Sequence, residues 1–195
     1  MQPGRQFFEA KSEDFFRAAS DIGFCVFPRL DSPRGVSGKT ADNERIHAKE
    51  FLEKIQQYRG EIIALKLRYS LDLNPQMPVQ ALDRCLEIAE QAGLPLVVHV
   101  TNPPVDMGEI AAALRPGDVF CHCFQGKGNT IIGADGRVKP AVWEAKRRGV
   151  LFDACNGTNN YSHDIAQAAL REGFLPDFIS VSYTHLRAHE TSQDL

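Results

Sequence analysis

Three side chains able to hold a metal or move a proton stand at the ends of apolar runs: Lys66 in EIIALKLR, His99 in LPLVVHV and His122 in DVFCHCF. The run Leu94 to Val98 reads as a buried strand that delivers His99 to its end. Thr101-Asn102-Pro103-Pro104 then turns the chain, because proline has no N–H to give to a ladder. Lys66 and His99 are 33 residues apart, and His99 and His122 are 23 apart. Each interval fits one strand and one crossover helix. The spacing therefore predicts the three residues at equivalent heights on three successive parallel strands, converging on one point at the end where α/β barrels carry their chemistry.

Two neutral imidazoles are good ligands for zinc, manganese or a related divalent ion. An ammonium ion is not. Buried beside a cation, however, a lysine loses its proton more readily, and the free amine can take up carbon dioxide to give a carbamate, an anionic donor able to bridge two metals. Such a pair activates water at neutral pH and polarises a carbonyl, which suits hydrolysis of an amide. Two other readings use the same residues: a mononuclear hydrolase with Lys66 as an uncarboxylated base, and a non-catalytic α/β small-ligand-binding protein in which they are packing. Cys121-His122-Cys123 also suggests a thiolate site, but strand alternation puts the two cysteines on one face and His122 on the other. His47 and His163 fall in or at the start of polar helices and are expected to be solvated. Asn156, Asn159, Asn160 and Tyr161 form a polar loop beyond a strand, placed to meet a substrate. Gly38-Lys39-Thr40 lacks the first glycine of a phosphate-binding loop, since Pro33 occupies that place.

The elements that must position these groups follow from periodicity. Helices are expected over 8–20, from Asp42 or Asn43 to Tyr58, and over 79–92, 106–114 and 139–148, with a last one ending near Leu170. Strands are expected at 23–27, 61–67, 94–99, 118–124, 149–155 and from Asp177. Pro28 closes the first of them, and Trp143 is assigned to packing. The alternation of strand and helix is unbroken, and no composition shift marks a boundary. The fold class is thus α/β, an incomplete (β/α)8 TIM-type barrel with about six of eight strands in a single domain, 1–180. The chain has 195 residues, 43% hydrophobic and 24% charged, with a net charge of −3, which gives no general pull toward nucleic acid or an anionic membrane. Its five cysteines have no disulfide-like spacing, and no apolar run has signal-peptide or membrane-spanning length. These features point to a cytoplasmic protein with reduced thiols acting on a small molecule, and they leave room for a homo-oligomer.

LKLR at 65–68, VVHVTNPP at 97–104, GDVFCHCFQGKGNTI at 117–131 and GVLFDACNG at 149–157 together resemble the amidohydrolase superfamily. The likeness is strongest to the bacterial amidohydrolase/deacetylase group related to dihydroorotases. It implies a (β/α)8 barrel with a small β-sandwich, and hydrolysis of an amide or cyclic amide. Lys66 would be the carboxylated lysine bridging two divalent metals, zinc foremost, with His99 and His122 as ligands of the second. Asn102, and the loops carrying Gln125 and Lys127 and Asn156, Asn159 and Asn160, would lie near substrate. Two departures accompany the match: no His-x-His pair precedes Lys66, and Ile179-Ser180-Val181-Ser182 stands where the family has Ile-Ser-Thr-Asp. Residues 181–191 resemble the translation of a transposase sequencing adapter, so 181–195 is set apart as a non-biological tail and His185 and His189 are not taken as ligands. The resemblance thus implies a piece of an amidohydrolase, itself inactive for want of the remaining ligands.

Overall fold

The computed structural model describes residues 24–28, 48–59, 62–157 and 159–180. The helix expected over 8–20, the Gly38-Lys39-Thr40 trio, His47 and the 181–195 tail lie outside those residues. The chain divides into two compact units, Met1–His99 and Val100–Leu195, at a point where the sequence shows no change of composition.

In the first unit, β2 (Ile62–Arg68) pairs with β1 (Phe24–Pro28) on one side and with β3 (Leu96–His99) on the other. Leu65, Leu67, Leu96 and Val98 share one face and are fully buried; Lys66, Arg68, Val97 and His99 share the other and are half-buried. That is the period-2 alternation of a pleated strand. Helix α1 (Ala48–Gln57) lies beside α2 (Ala81–Ala92). In α2 the buried residues Ala81, Leu82, Cys85, Ile88 and Ala89 recur at helical spacing, forming the stripe that packs inward. Gly93 stops the helix at φ 65°, its N–H turned back on the carbonyls of Ala89 and Glu90, as its place after the last apolar residue predicts. β2 and β3 are parallel, but β1 runs antiparallel to β2, with Phe24 opposite Leu67. This departs from the expected all-parallel alternation. Strand order along a sequence does not fix direction, and an antiparallel edge on a parallel sheet is a common arrangement. Pro28 is the strand's last residue, at a register shift, rather than the residue beyond it.

In the second unit, β4 (Val119–Cys121) and β5 (Leu151–Asp153) are parallel, and Phe178 joins Asp153 through a parallel bridge. Helices α3 (Met107–Ala113), α4 (Pro140–Arg148) and α5 (His163–Arg171) alternate with them, and α3 lies against α4. Asp106 caps α3 through the Gly108 N–H, and Ser162 caps α5. The core is aromatic. Phe120 lies 5.1 Å from Phe152, Phe152 meets Phe174 edge-on at 5.2 Å, and Trp143 meets Phe174 edge-on at 5.2 Å, so the tryptophan packs as expected. Strands expected over 118–124 and 149–155 are each only three residues long. His122 and Cys155 take the left-handed backbone, at φ 66° and 42°, which no ladder tolerates. Both units are α/β. Among the described residues no helix is long and apolar enough to cross a membrane.

Candidate functional site

The C-terminal ends of the strands in the second unit, its mouth, carry the unusual backbone. Among the described residues only three other than glycine have positive φ, and all follow strand ends: Asn102 (48°) after β3, His122 (66°) after β4 and Cys155 (42°) after β5. A left-handed conformation costs a residue with a Cβ roughly 1–2 kcal/mol, so each must be held by its surroundings. The holding groups are visible. The side chain of Asp153, 6% exposed, accepts the Cys155 N–H at 2.9 Å and the Ser180 N–H at 3.0 Å through Oδ1, and the Ser180 hydroxyl through Oδ2. The Cys155 carbonyl in turn receives the Nδ1–H of buried His122 at 2.8 Å. A carbonyl can only accept, so Nδ1 bears the proton, and in the neutral ring Nε2 carries the lone pair. This is the tautomer a metal ligand or proton acceptor requires, oriented by a backbone partner.

Cys121, His122 and Cys123 are all buried, so the expected alternation of faces ends with the strand at Cys121. The left-handed turn at His122 supplies the bend a shared thiolate site would need. Burial, and next the negative charge of Asp153, push the Cys123 thiol well above its ordinary range, which keeps it protonated and argues for packing. Burial does the same to Cys85 in the first unit.

Three loops meet at this mouth. Gln125, with no exposed surface, accepts the Lys127 N–H at 2.8 Å and the Asn102 N–H at 3.3 Å through Oε1; its Nε2 donates to the Asn129 carbonyl at 2.6 Å and lies 4.0 Å from the Met107 sulfur. Thr101 donates its hydroxyl hydrogen to Asn160 Oδ1 at 2.9 Å, and Asn129 Nδ2 reaches the Val105 carbonyl. Gly128 is needed where it is: a Cβ there would lie 2.5 Å from Asn102 Oδ1, on a backbone at φ 58°. Of the residues expected at substrate, Asn102, Gln125 and Lys127 are thus brought together, and Asn160 joins them through Thr101. Gln125 differs from its expected role, since both ends of its amide are engaged with the chain. Lys127 and Asn159 are exposed. Asn156 is half-buried, and its Oδ1, which is fully buried, has no hydrogen-bond partner among the described residues. His163 is exposed at the start of α5, against Gln167, as expected of a solvated residue.

In the first unit, Lys66 and His99 share the half-buried face of β2 and β3 but not one height. Lys66 is opposite Val97, and His99 is opposite Arg68. Their two-residue offset is roughly 7 Å along the strands, so the expected equivalence of height is corrected. Interval length reports the size of a βα unit, not the register in which two strands pair. The deeper position holds the longer side chain.

Among the described residues no three of His, Cys, Asp and Glu gather into a metal-binding cluster. The Nδ1–H bond of His122 leaves Nε2 as the ring nitrogen with the lone pair, which is the arrangement that fits an imidazole ligand. Asp153 escaped the sequence reading. Its signal was present, a charge ending the apolar run GVLFD.

No protein-family model matches the chain. The curated proteins it resembles include a deacetylase of Enterococcus faecalis, 33% identical over 142 residues, and a deacetylase of Agrobacterium fabrum, 30% identical over 189 residues. These matches cover 72% and 97% of this chain but 38% and 43% of those proteins, so the chain spans less than half the length of the curated relatives it matches. Among solved structures, an adenine deaminase superposes with a TM-score of 0.64 at 30% identity, over 73% of this chain and 39% of that one. A dihydroorotase superposes with a TM-score of 0.60 at 29% identity, over 72% and 37%. The fold is α/β of the partial (β/α)8 type, and by sequence and fold the chain is amidohydrolase-like.

Proposed function

We propose that this chain carries part of the active site of a metal-dependent amidohydrolase, a deacetylase-like enzyme that hydrolyses an amide or cyclic amide bond in a small molecule. The observation that carries the reading is the seat of His122: buried, strained just past a strand end, and fixed by the Cys155 carbonyl in the tautomer that puts the lone pair on Nε2. Backbone strain of this kind clusters at functional sites. His122 and His99 are the imidazole ligands, and Lys66, as its carbamate, the anionic one; the deacetylase likeness supports this assignment. A divalent cation held there, zinc foremost, would supply Lewis acidity. The remaining work falls to the chain. Asn156 Oδ1, a buried acceptor without a partner among the described residues, is suited to take a substrate N–H, and the Asn102, Lys127 and Asn160 loops orient the rest of the molecule.

Metal analysis tests this, made on the protein at the length of its curated relatives. The expected result is bound divalent metal, a carbamate increment in the native mass that disappears in Lys66→Ala, and loss of metal affinity in His122→Ala exceeding the ~10–100-fold typical of an outer-shell change. Metal-free protein, with ligand binding unaffected by either substitution, would favour the non-catalytic binding protein instead.

A further inference from the structure

The loops at the mouth of the second unit share one buried amide. We propose that Gln125 is the positioning residue of this mouth: its single side chain sets the spacing of the segments at Asn102, Lys127 and Asn129, so that the surface presented to substrate is formed beforehand rather than closing on arrival. The proposal rests on the hydrolase reading for its substrate and on geometry alone for its mechanism.

Four observations combine. Gln125 has no exposed surface, although it lies in a stretch whose next four residues are all exposed. Its Oε1 has two lone pairs and takes two backbone N–H groups, from Lys127 in its own loop and from Asn102 in the loop before α3. Its Nε2 donates to the Asn129 carbonyl, closing the same loop from the other side. Finally, the loop cannot drift from its neighbours, because Gly126 and Gly128 are in close approach to Ser162 and Asn102; a Cβ at Gly126 would lie 2.7 Å from that of Ser162. Ser162 itself donates its N–H to the Phe124 carbonyl at 2.7 Å. An amide used in this way is a brace, and a buried polar group with every bond made specifies one arrangement of the chain around it.

Amide hydrogen exchange on the full chain reads the brace without any substrate. Gln125→Leu keeps the bulk and removes all three bonds, so the Asn102 and Lys127 amides should exchange together about tenfold faster, while those of Cys123 and Phe152 keep their protection. Gln125→Glu retains an acceptor for both N–H groups and should keep both amides protected. In the protein at its relatives' length, Gln125→Leu should raise KM more than it lowers kcat, with recovery in Gln125→Glu, because the loss falls on substrate placement. Unchanged protection in Gln125→Leu overturns the proposal. So does equal loss in Gln125→Glu, because the two N–H groups would then lose protection with their acceptor still in place. If Gln125→Leu does not fold, Gln125→Glu alone decides by the same two amides. Exchange that behaves as expected in a protein with no hydrolysis would sink the functional reading and leave the brace standing; hydrolysis with unaltered exchange would do the reverse.

Discussion

The two ends of the strands in the second unit are built differently. Where β4 and β5 begin, positive φ falls on glycine, at Gly117 and Gly149, and the Gly117 N–H bonds the Gly149 carbonyl at 2.9 Å. An ion pair and an arginine on backbone carbonyls do the rest. Asp118, 1% exposed, holds the Arg115 N–H at 2.8 Å and its guanidinium at 2.9 and 3.0 Å, while Arg148 covers the carbonyls of Ala111, Ala112 and Leu114 at the end of α3. At the mouth, positive φ falls not only on Gly128 but also on Asn102, His122 and Cys155, and buried side chains hold backbone that would otherwise relax. Glycine takes that conformation without penalty; the other three do not. The contrast places strain at the mouth and support at the opposite end, the division of labour general to barrels built from βα units.

One substitution at each end should separate stability from function. Asp118→Ala removes three charge-assisted bonds from a buried carboxylate, and Arg115, itself partly exposed, can rehydrate; the expected loss is about 2–3 kcal/mol in urea unfolding, with metal affinity unchanged. Asp153→Ala also removes bonds from a buried carboxylate, but it lets the strained Cys155 relax, so the expected loss of stability is smaller, about 1–2 kcal/mol. Its larger consequence is at His122, whose carbonyl partner loses its anchor, with metal affinity in the protein at its relatives' length falling about 10–100-fold. If Asp118→Ala weakens metal binding as much as Asp153→Ala does, the two ends are not distinct.

How much of this was legible follows from which physics each feature uses. Strand starts, helix boundaries and the packing roles of Trp143 and the buried cysteines could be read because apolar periodicity and capping are local. The place of His122 outside its strand could not, since Cys-His-Cys carries none of the glycine or asparagine that announces positive φ; the turn is imposed by the Asp153 and Cys155 contacts. The direction of β1 and the offset between Lys66 and His99 are properties of pairing, which interval lengths do not encode. Gln125 looked like a ligand because a polar residue in a glycine-rich loop usually faces outward; its partners are backbone N–H groups, which every sequence has and none displays. Asp153 was the avoidable omission.

Acid supplies the smallest and finest comparison, because each end of the unit has a partly exposed Asp–Lys pair. Asp106, where α3 leaves the mouth, pairs with Lys139; Asp177, at the start of the segment bridging β5, pairs with Lys146 and takes the Phe152 N–H at 2.8 Å. Burial alone would raise both carboxyls, but the lysine in each case, helped by the Gly108 and Phe152 N–H groups, outweighs it and holds both below the ordinary carboxylate range. A carboxyl depressed in the folded state binds its proton less readily than in the unfolded chain. Its contribution is therefore complete above the unfolded value, roughly pH 4, and is lost as pH falls through the folded one. Since the side chains of Asp106 and Asp177 are 39% and 32% exposed, solvent screening keeps each contribution under about 1 kcal/mol. Asp106→Asn and Asp177→Asn should each flatten the acid side of the stability profile by that amount and leave neutral-to-alkaline behaviour parallel to the parent. A distinctly larger effect from Asp106→Asn would mean that the mouth draws on ion pairing for its support as heavily as the opposite end does.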